Sequence, residues 1–218
     1  MRPEDALGAT DVMEADAPAV RELADRVAGD AAGREAARRL FEWVRDEIRY
    51  EMSPELTDDT GREEWRASLT LERGYGFCQQ KAVLLAALLR ARGIAAGFVA
   101  QDILDHKIPA SYVELIGTQH LEVHGLTCAH LDGRWVRLDP TLPRDLVEKK
   151  RYRLVELTGD GDAVLHATDL DGNPHIDVVE ELGTWPDLPD EIVERTLAID
   201  WLRLPEYKRL ARRHAPFF

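Results

Sequence analysis

Residues 82–89, AVLLAALL, are apolar at every position and lie inside a longer stretch with helical spacing. A surface helix has a single apolar face, whereas this segment carries apolar side chains on nearly every side, so other elements must cover most of it. The run is far shorter than the roughly 20 apolar residues of a membrane span. We therefore predict a buried central helix from about Cys78 to Arg92, ended by Gly93, with the rest of the chain packed around it.

The region before the central helix also shows helical periodicity. Apolar residues recur three and four positions apart between residues 18 and 50, and the glycine-bounded segment 29–33 divides this region into two predicted helices. A polar loop is expected at residues 52–65, where proline and glycine interrupt the pattern. A short helix from Ala67 to Glu72 should then stop at Gly74.

Segments of alternating polarity follow the central helix, and this pattern is typical of strands. Asp132-Gly133 is a strong signal for a two-residue hairpin turn between two of them. A loop is expected at residues 102–111, and residues 189–214 should form two helices separated at Pro205. The predicted strands are residues 94–100, 120–131, 134–139, 152–157, 163–168 and 174–179.

The order of these elements indicates the fold class. Helices come first, an antiparallel sheet second and further helices last, which is typical of an α+β fold rather than of alternating βαβ units. The length of 218 residues suits a single domain. Within it we expect an N-terminal helical region at residues 1–60, a core with the candidate site at residues 61–185, and a C-terminal helical tail at residues 186–218.

The charge balance narrows the classes of partner. The chain has 41 acidic and 28 basic residues, a formal net charge of −13, so phosphate backbones and anionic membrane surfaces should be repelled. Nucleic-acid binding and membrane binding are therefore not expected. Two cysteines do not make a disulfide framework, and the N-terminal residues contain no apolar segment of a secretion signal. We expect a cytoplasmic protein.

Cys78 stands at the start of the predicted central helix, directly after a turn that contains Gly74 and Gly76. The first turn of a helix carries unpaired N–H groups and the positive end of the helix dipole, and both favour an ionised thiol. The N–H of Cys78 would also point toward an oxygen that becomes negative when a thiolate attacks a carbonyl. The competing interpretation is a small buried apolar residue, the commonest role of a free cysteine.

The hairpin register identifies a histidine and an acid that can meet. A nucleophilic cysteine needs a base, and the base needs an orienting partner. With a two-residue turn, His124 lies diagonal to Asp139 on the same face of the sheet, with backbones roughly 7–8 Å apart. The other histidines of this strand, His120 and His130, lie too far from Asp139 along the strand. A register error of one residue would break this argument.

Other interpretations of the same residues remain open. Cys128 is the second diagonal neighbour of Asp139, but it lies in mid-strand with no helix dipole and is interpreted as a core or pocket residue. Taken alone, His124 could be a neutral histidine bonded within the sheet, and Asp139 could be a turn residue. A zinc site built from the three histidines and the cysteine of this strand is disfavoured. Residues four apart on a strand are separated by about 13 Å, which leaves only Cys128 and His130 close together.

Two stretches of the sequence resemble a known family. GFCQQKAVLLAALLRARGIAAGFV begins at Gly76, and HGLTCAHLDGRWVRLDPT begins at His124. Both are similar to the transglutaminase-like superfamily of papain-type cysteine enzymes. The shared pattern is G-x-C opening a helix, L-L-R-A-x-G-I at its end, a histidine on a strand, and G-x-W-x-x-x-D-P-T. The resemblance covers roughly residues 65–142.

The resemblance implies a papain-like/transglutaminase-like core with Cys78 as nucleophile, His124 as base and Asp139 as orienting acid, and no required metal or cofactor. The implied reaction is acyl transfer from an amide or ester through a cysteine thioester, with an amine or water as acceptor. The acyl substrate would be a peptide, a protein, a small molecule or a carrier-protein thioester. The alternatives are a cysteine protease or amidase that only hydrolyses, and a non-catalytic binding module with this fold.

The sequence also departs from the family pattern. Many relatives have an aromatic residue and a glutamate at the positions held here by Leu126 and Cys128, so the shape of the pocket should differ. The second donor of an oxyanion hole is not fixed by the pattern. Trp65, Gln79 and Gln80 are its candidates.

Overall fold

The computed structural model of the protein describes residues 1–51, 56 and 59–207. The helices are α1 (Pro18–Ala28), α2 (Gly33–Glu47), α3 (Ala67–Arg73), α4 (Cys78–Ala91), α5 (Ala110–Ile116), α6 (Arg144–Lys150) and α7 (Asp190–Leu197). The strands are β1 (Arg49–Tyr50), β2 (Tyr75–Gly76), β3 (Ala96–Asp105), β4 (His120–Leu131), β5 (Arg134–Leu138) and β6 (Ile176–Trp185). Short 3-10 turns lie at Pro3–Ala6, Arg62–Trp65 and Asp200–Arg203.

The central helix α4 is buried along almost its whole length. Every residue from Gln79 to Arg90 is buried, and α4 packs against α1, α2 and α3 and against strands β3 and β4. Because fully burying one leucine contributes about 1.5–3 kcal/mol, the four leucines of this helix are a major source of stability. The prediction of a buried central helix that ends at Gly93 is confirmed.

A four-stranded antiparallel sheet, in the order β5-β4-β3-β6, packs on this helix. Strands β4 and β5 are joined by the tight turn at Asp132-Gly133, and Leu131 faces Arg134 across it. This is the register predicted from the sequence. Strands β1 and β2 form a separate parallel pair, which leads the chain into α4. The predicted α+β architecture is therefore confirmed.

The helices before α4 follow the predicted pattern. α1 and α2 are separated by residues 29–32, as the glycine-bounded segment indicated, and α3 ends at Gly74, whose backbone is left-handed with φ +70°. The predicted polar loop at residues 52–65 lies partly outside the described residues, and its end forms a 3-10 turn. None of the helices in the described ranges combines the length and apolar content that crossing a bilayer requires.

The prediction was wrong between residues 102 and 116. Strand β3 continues to Asp105 because it is an inner strand, paired with β4 on one side and β6 on the other over nearly its whole length. The predicted loop therefore begins later, and it is followed by helix α5, which was not predicted. Pro109 directly precedes α5, and this placement of proline before a helix was the available signal.

The region after β5 also differs from the prediction. Helix α6 was missed, and residues 152–157 form no strand, since they lack ladder pairing. Residues 163–168 make only isolated bridges, including one from Ala163 to Leu138, whereas the last predicted strand is displaced to Ile176–Trp185. α7 occupies the first part of the predicted helical tail. The second helix expected there lies largely outside the described residues.

Candidate active site

Cys78 is the first residue of α4, and its side chain is partly exposed at the mouth of a cleft. The cleft has a volume of about 460 Å³, which includes space open to solvent. The N–H of Phe77 donates to Oε1 of Gln80 (3.3 Å), which closes the first turn of the helix. Because the first N–H groups of a helix have no partner within it, the N–H of Cys78 faces outward at the start of α4.

His124 and Asp139 meet as the hairpin register predicted. Nε2 of His124 lies 2.8 Å from Oδ2 of Asp139, and both side chains are buried. The second carboxylate oxygen of Asp139 accepts the backbone N–H of Thr141 at 3.0 Å. Asp139 thus holds one nitrogen of the imidazole, and Nδ1 is left to face another group.

His124 and Cys78 line the same cleft, so the three predicted side chains lie close together. Burial alone would lower the pKa of His124, but the charge of Asp139 and the nearby Cys78 thiol raise it well above its ordinary value. An imidazole with a raised pKa keeps its proton in the presence of a thiolate. This is the pair of charge states that a nucleophilic thiol requires.

A strained residue fixes the backbone directly before His124. The pairing of β4 with β3 shifts by one residue here, and Val123 has φ +52°, a conformation that a β-branched residue rarely adopts. The N–H of Val123 donates to Oδ1 of Asp102 (2.8 Å), and its carbonyl accepts from Nε2 of Gln79 (2.7 Å). Such strain costs about 1–3 kcal/mol and persists only where neighbours impose it. Bonds from two other elements therefore set the direction of the histidine.

The three candidates for a second oxyanion donor are already engaged inside the protein. Nε1 of Trp65 donates to Oε1 of Gln79 at 2.8 Å. The Gln79 amide donates to Val123 and to Oγ1 of Thr196, and the Gln80 amide donates to the carbonyl of Glu64. These side chains position the start of α4 against its neighbours. The backbone N–H of Cys78 has no partner within α4, because it belongs to the first turn of the helix.

Gly125 lets α4 approach the strand that carries His124. A Cβ atom at this position would lie 2.7 Å from Cγ and 2.8 Å from Cα of Gln79, and 2.9 Å from the ring of Phe98. Contacts this short are not tolerated, and the Cα of Gln79 cannot move without moving the helix start. The role of Gly125 was not predicted, although the sequence has this glycine directly after the candidate histidine.

We expect Gly125→Ala to destabilise the fold by about 1–3 kcal/mol, because it overpacks the contact between α4 and β4. It should also lower any activity that needs Cys78 close to His124. Urea unfolding gives the stability change. Gly161→Ala is the matched control, since a Cβ there meets nothing within 4 Å. Equal unfolding midpoints for Gly125→Ala and the wild type would contradict this account of the helix position.

Lys81 links α4 to the segment that carries Asp139. Its side chain is fully buried, and Nζ donates to the carbonyl oxygens of Arg45, Ile48 and Thr141 at 2.7–3.1 Å. Burial lowers the pKa of Lys81 to about 7. The N–H of Thr141 in turn donates to Asp139. Through Lys81, helix α4 therefore holds both Cys78 and the turn that follows Asp139. A single lysine within an apolar helix was the signal for this role.

The candidates Cys128 and His130 on β4 do not line the cleft of Cys78. Cys128 packs with Val99 and Leu126 in a small apolar cluster, and burial raises the pKa of its thiol to about 12. His130 packs edge-on against Trp135, with ring centres 5.4 Å apart. Within residues 1–51, 56 and 59–207, no group of three or more metal-ligating side chains converges.

A helix buried against an antiparallel sheet, with a cysteine at its mouth, is the core of the papain-like type. Residues 21–140, more than half of the chain, match the sequence profile of the transglutaminase-like superfamily. The chain belongs to the transglutaminase-like superfamily.

Two solved structures are similar to the chain. One is a candidate cysteine protease from Cytophaga hutchinsonii, with 17% identity and a TM-score of 0.46, covering 82% of this chain and 52% of that one. The other is a candidate protease from Parabacteroides distasonis, with 15% identity and a TM-score of 0.39, covering 69% of this chain and 28% of that one. The chain thus spans about half of the first structure's length and less of the second's. No curated protein shows significant similarity to it.

Proposed function

We propose that the chain is a cysteine-dependent enzyme that transfers acyl groups through a thioester on Cys78, with water or an amine as acceptor. The observation that carries the proposal is the placement of His124, whose imidazole is bonded to Asp139 and lines the cleft of Cys78. A buried histidine with a raised pKa, beside a thiol at a helix start, suits acid–base and nucleophilic catalysis. Membership of the transglutaminase-like superfamily supports the same reaction class.

In the proposed first step, the thiolate of Cys78 attacks the carbonyl carbon of an amide or ester. The carbon–sulfur bond forms, and the backbone N–H of Cys78 stabilises the negative oxygen. The imidazolium of His124 donates its Nδ1 proton to the leaving amine or alcohol as the old bond breaks. Asp139 keeps the ring oriented through Nε2 and stabilises its charge.

In the second step, neutral His124 accepts a proton from the acceptor, which attacks the thioester carbon. Sulfur leaves as thiolate, and the imidazolium is restored. Water as acceptor gives a protease or amidase, whereas an amine gives a new amide. The same three side chains serve both outcomes, and the exclusion of water decides between them.

A product analysis tests this proposal. The wild type is offered glutamyl peptides, thioesters and activated esters, with and without added amine, and the products are identified by mass. Amine adducts would select transfer, and free acids alone would select hydrolysis. Absence of turnover, together with slow alkylation of Cys78, would contradict the proposal and indicate a non-catalytic binding module of the same family.

The proposed role of His124 predicts a pH dependence. Acylation needs its proton, so kcat/KM should fall on the alkaline side as His124 deprotonates, and its raised pKa places this fall well above the ordinary histidine range near pH ~6.5. Asp139→Asn removes the charge that raises this pKa. The alkaline limb should therefore move to lower pH. The pH profile for an amide substrate, whose amine must be protonated as it leaves, measures this, and an unmoved limb would assign it to another group.

A further inference from the structure

The side chain of Lys81 joins its own helix to two other segments of the chain. Its Nζ donates to the carbonyl oxygens of Arg45, Ile48 and Thr141 at 3.0, 2.7 and 3.1 Å. Three acceptors match the three hydrogens of an ammonium group. All three bonds go to the backbone, so this buried cation holds the positions of main-chain segments.

The first two carbonyls stand where α2 ends. The carbonyl of Arg45 belongs to the last turn of α2, where carbonyl groups have no partner within the helix. A cation at this place also suits the negative end of the helix dipole. From Ile48 the chain continues into β1, and Tyr50 of this strand lines the cleft of Cys78. Lys81 therefore fixes a segment that leads to one wall of the cleft.

The third carbonyl belongs to Thr141, which follows the acid and lies outside the helices and strands. The N–H of Thr141 donates to Oδ1 of Asp139 at 3.0 Å, and its carbonyl accepts from Lys81. Because Thr141 belongs to no strand or helix, no regular ladder holds its carbonyl in place. A shift of this residue would move the carboxylate whose other oxygen is bonded to His124.

We propose that Lys81 is a positioning residue of the reaction, which keeps the carboxylate of Asp139 directed at His124 without touching substrate. This proposal rests on the proposed function of Cys78 and His124. Lys81 is fully buried and does not line the cleft, so it acts on the reaction only through its neighbours. It stands three positions after Cys78 on α4, and the helix turn that presents the thiol therefore also carries the cation.

The competing interpretation is that Lys81 only stabilises the fold. Arg90 offers a comparison, since it is a buried cation on the same helix, nine residues or about 13 Å further along. Its guanidinium also donates to three backbone carbonyls, those of Gly8, Ala96 and Pro186. Loss of either cation should destabilise the protein, but only the loss of Lys81 should affect the reaction.

A double-mutant cycle with p-nitrophenyl acetate tests the proposed role, because release of the acetyl group needs His124 as the base. Lys81→Met keeps an unbranched side chain and removes the charge and the donors. It should lower kcat by roughly 100-fold, as expected when a catalytic group is misplaced by about 1 Å, with KM within about threefold of the wild type. In the Asp139→Ala background it should lower kcat by no more than about threefold, because the group that it positions is absent.

Arg90→Met is the matched control. It should keep kcat within about threefold of the wild type, although it should lower the unfolding midpoint in urea as Lys81→Met does. Equal losses of kcat from Lys81→Met in the two backgrounds would overturn the proposal, and so would an equal loss in Arg90→Met. If Lys81→Met does not fold, Lys81→Gln, which keeps a donor of shorter reach, takes its place in the same cycle.

A spectroscopic measurement separates this proposal from the proposed function. The proton between Nε2 of His124 and Asp139 should give a low-field NMR signal, which Asp139→Ala abolishes. Lys81→Met should shift or broaden this signal, and Arg90→Met should leave it unchanged. This pattern in a chain that turns over no ester would support the positioning role and refute the proposed function. Turnover of the ester, with a signal that is the same in Lys81→Met and the wild type, would refute the positioning role alone.

Discussion

Cys78→Ala is expected to abolish acyl-enzyme formation and to lower turnover of an activated ester by roughly 10⁴-fold or more, because no other group replaces the nucleophile. Only uncatalysed attack by water, assisted by binding, would remain. Release of p-nitrophenol gives the rate, and intact-protein mass gives the acyl adduct. The fold should survive, since the thiol is partly exposed and lies at a helix end.

Cys128→Ala is the matched control for this substitution. Its thiol is 1% exposed within an apolar cluster, and burial raises its pKa to about 12, so it should not form a thioester. We expect turnover within about threefold of the wild type, with the loss of packing as the main effect. Turnover that survives in Cys78→Ala and disappears in Cys128→Ala would mean that Cys128, and not Cys78, is the nucleophile.

Asp139→Ala should have the second-largest effect, a loss of roughly 10³–10⁴-fold in kcat/KM. The substitution removes the acceptor at 2.8 Å from Nε2 of His124 and leaves the imidazole without its oriented bond. It also leaves the N–H of Thr141 without its carboxylate partner. The loss should therefore include some stability, which a thermal unfolding curve measures separately.

Asp139→Asn separates orientation from charge. The amide oxygen can accept the hydrogen bond from Nε2, although the amide NH2 then faces the N–H of Thr141 and that bond is lost. At the optimum pH this variant should therefore lose at least about tenfold less activity than Asp139→Ala. Equal losses in the two variants would mean that the charge of Asp139, and not the direction of the ring, is its main contribution.

Local sequence patterns were sufficient to predict the elements that bring Cys78, His124 and Asp139 together. The apolar side chains of residues 82–89 require burial on nearly every side. This requirement predicted that α4 lies at the centre of the fold with Cys78 at its start. The Asp132-Gly133 turn fixed the register of the hairpin, and the register selected His124 as the partner of Asp139. Both inferences depend on contacts that are near in sequence or set by a single turn.

Features that depend on distant contacts were not predictable in the same way. The irregular pairing at Val123 arises from bonds to Asp102 and Gln79, which are far away in the sequence. The length of β3 and the loss of the strand at residues 152–157 depend on which neighbours are available for pairing. Alternation of polar and apolar residues identifies the face of a strand but not its partners.

The reactivity of the two thiols with iodoacetamide tests the central claim most directly. Each cysteine is followed by peptide mass at neutral pH in the wild type and in Asp139→Ala. Cys78 should react at least about 100-fold faster than Cys128, because it stands at a helix start beside the imidazole of His124, whereas burial raises the pKa of the Cys128 thiol to about 12. Asp139→Ala should slow the reaction of Cys78. Equal and slow alkylation of both cysteines would contradict the account.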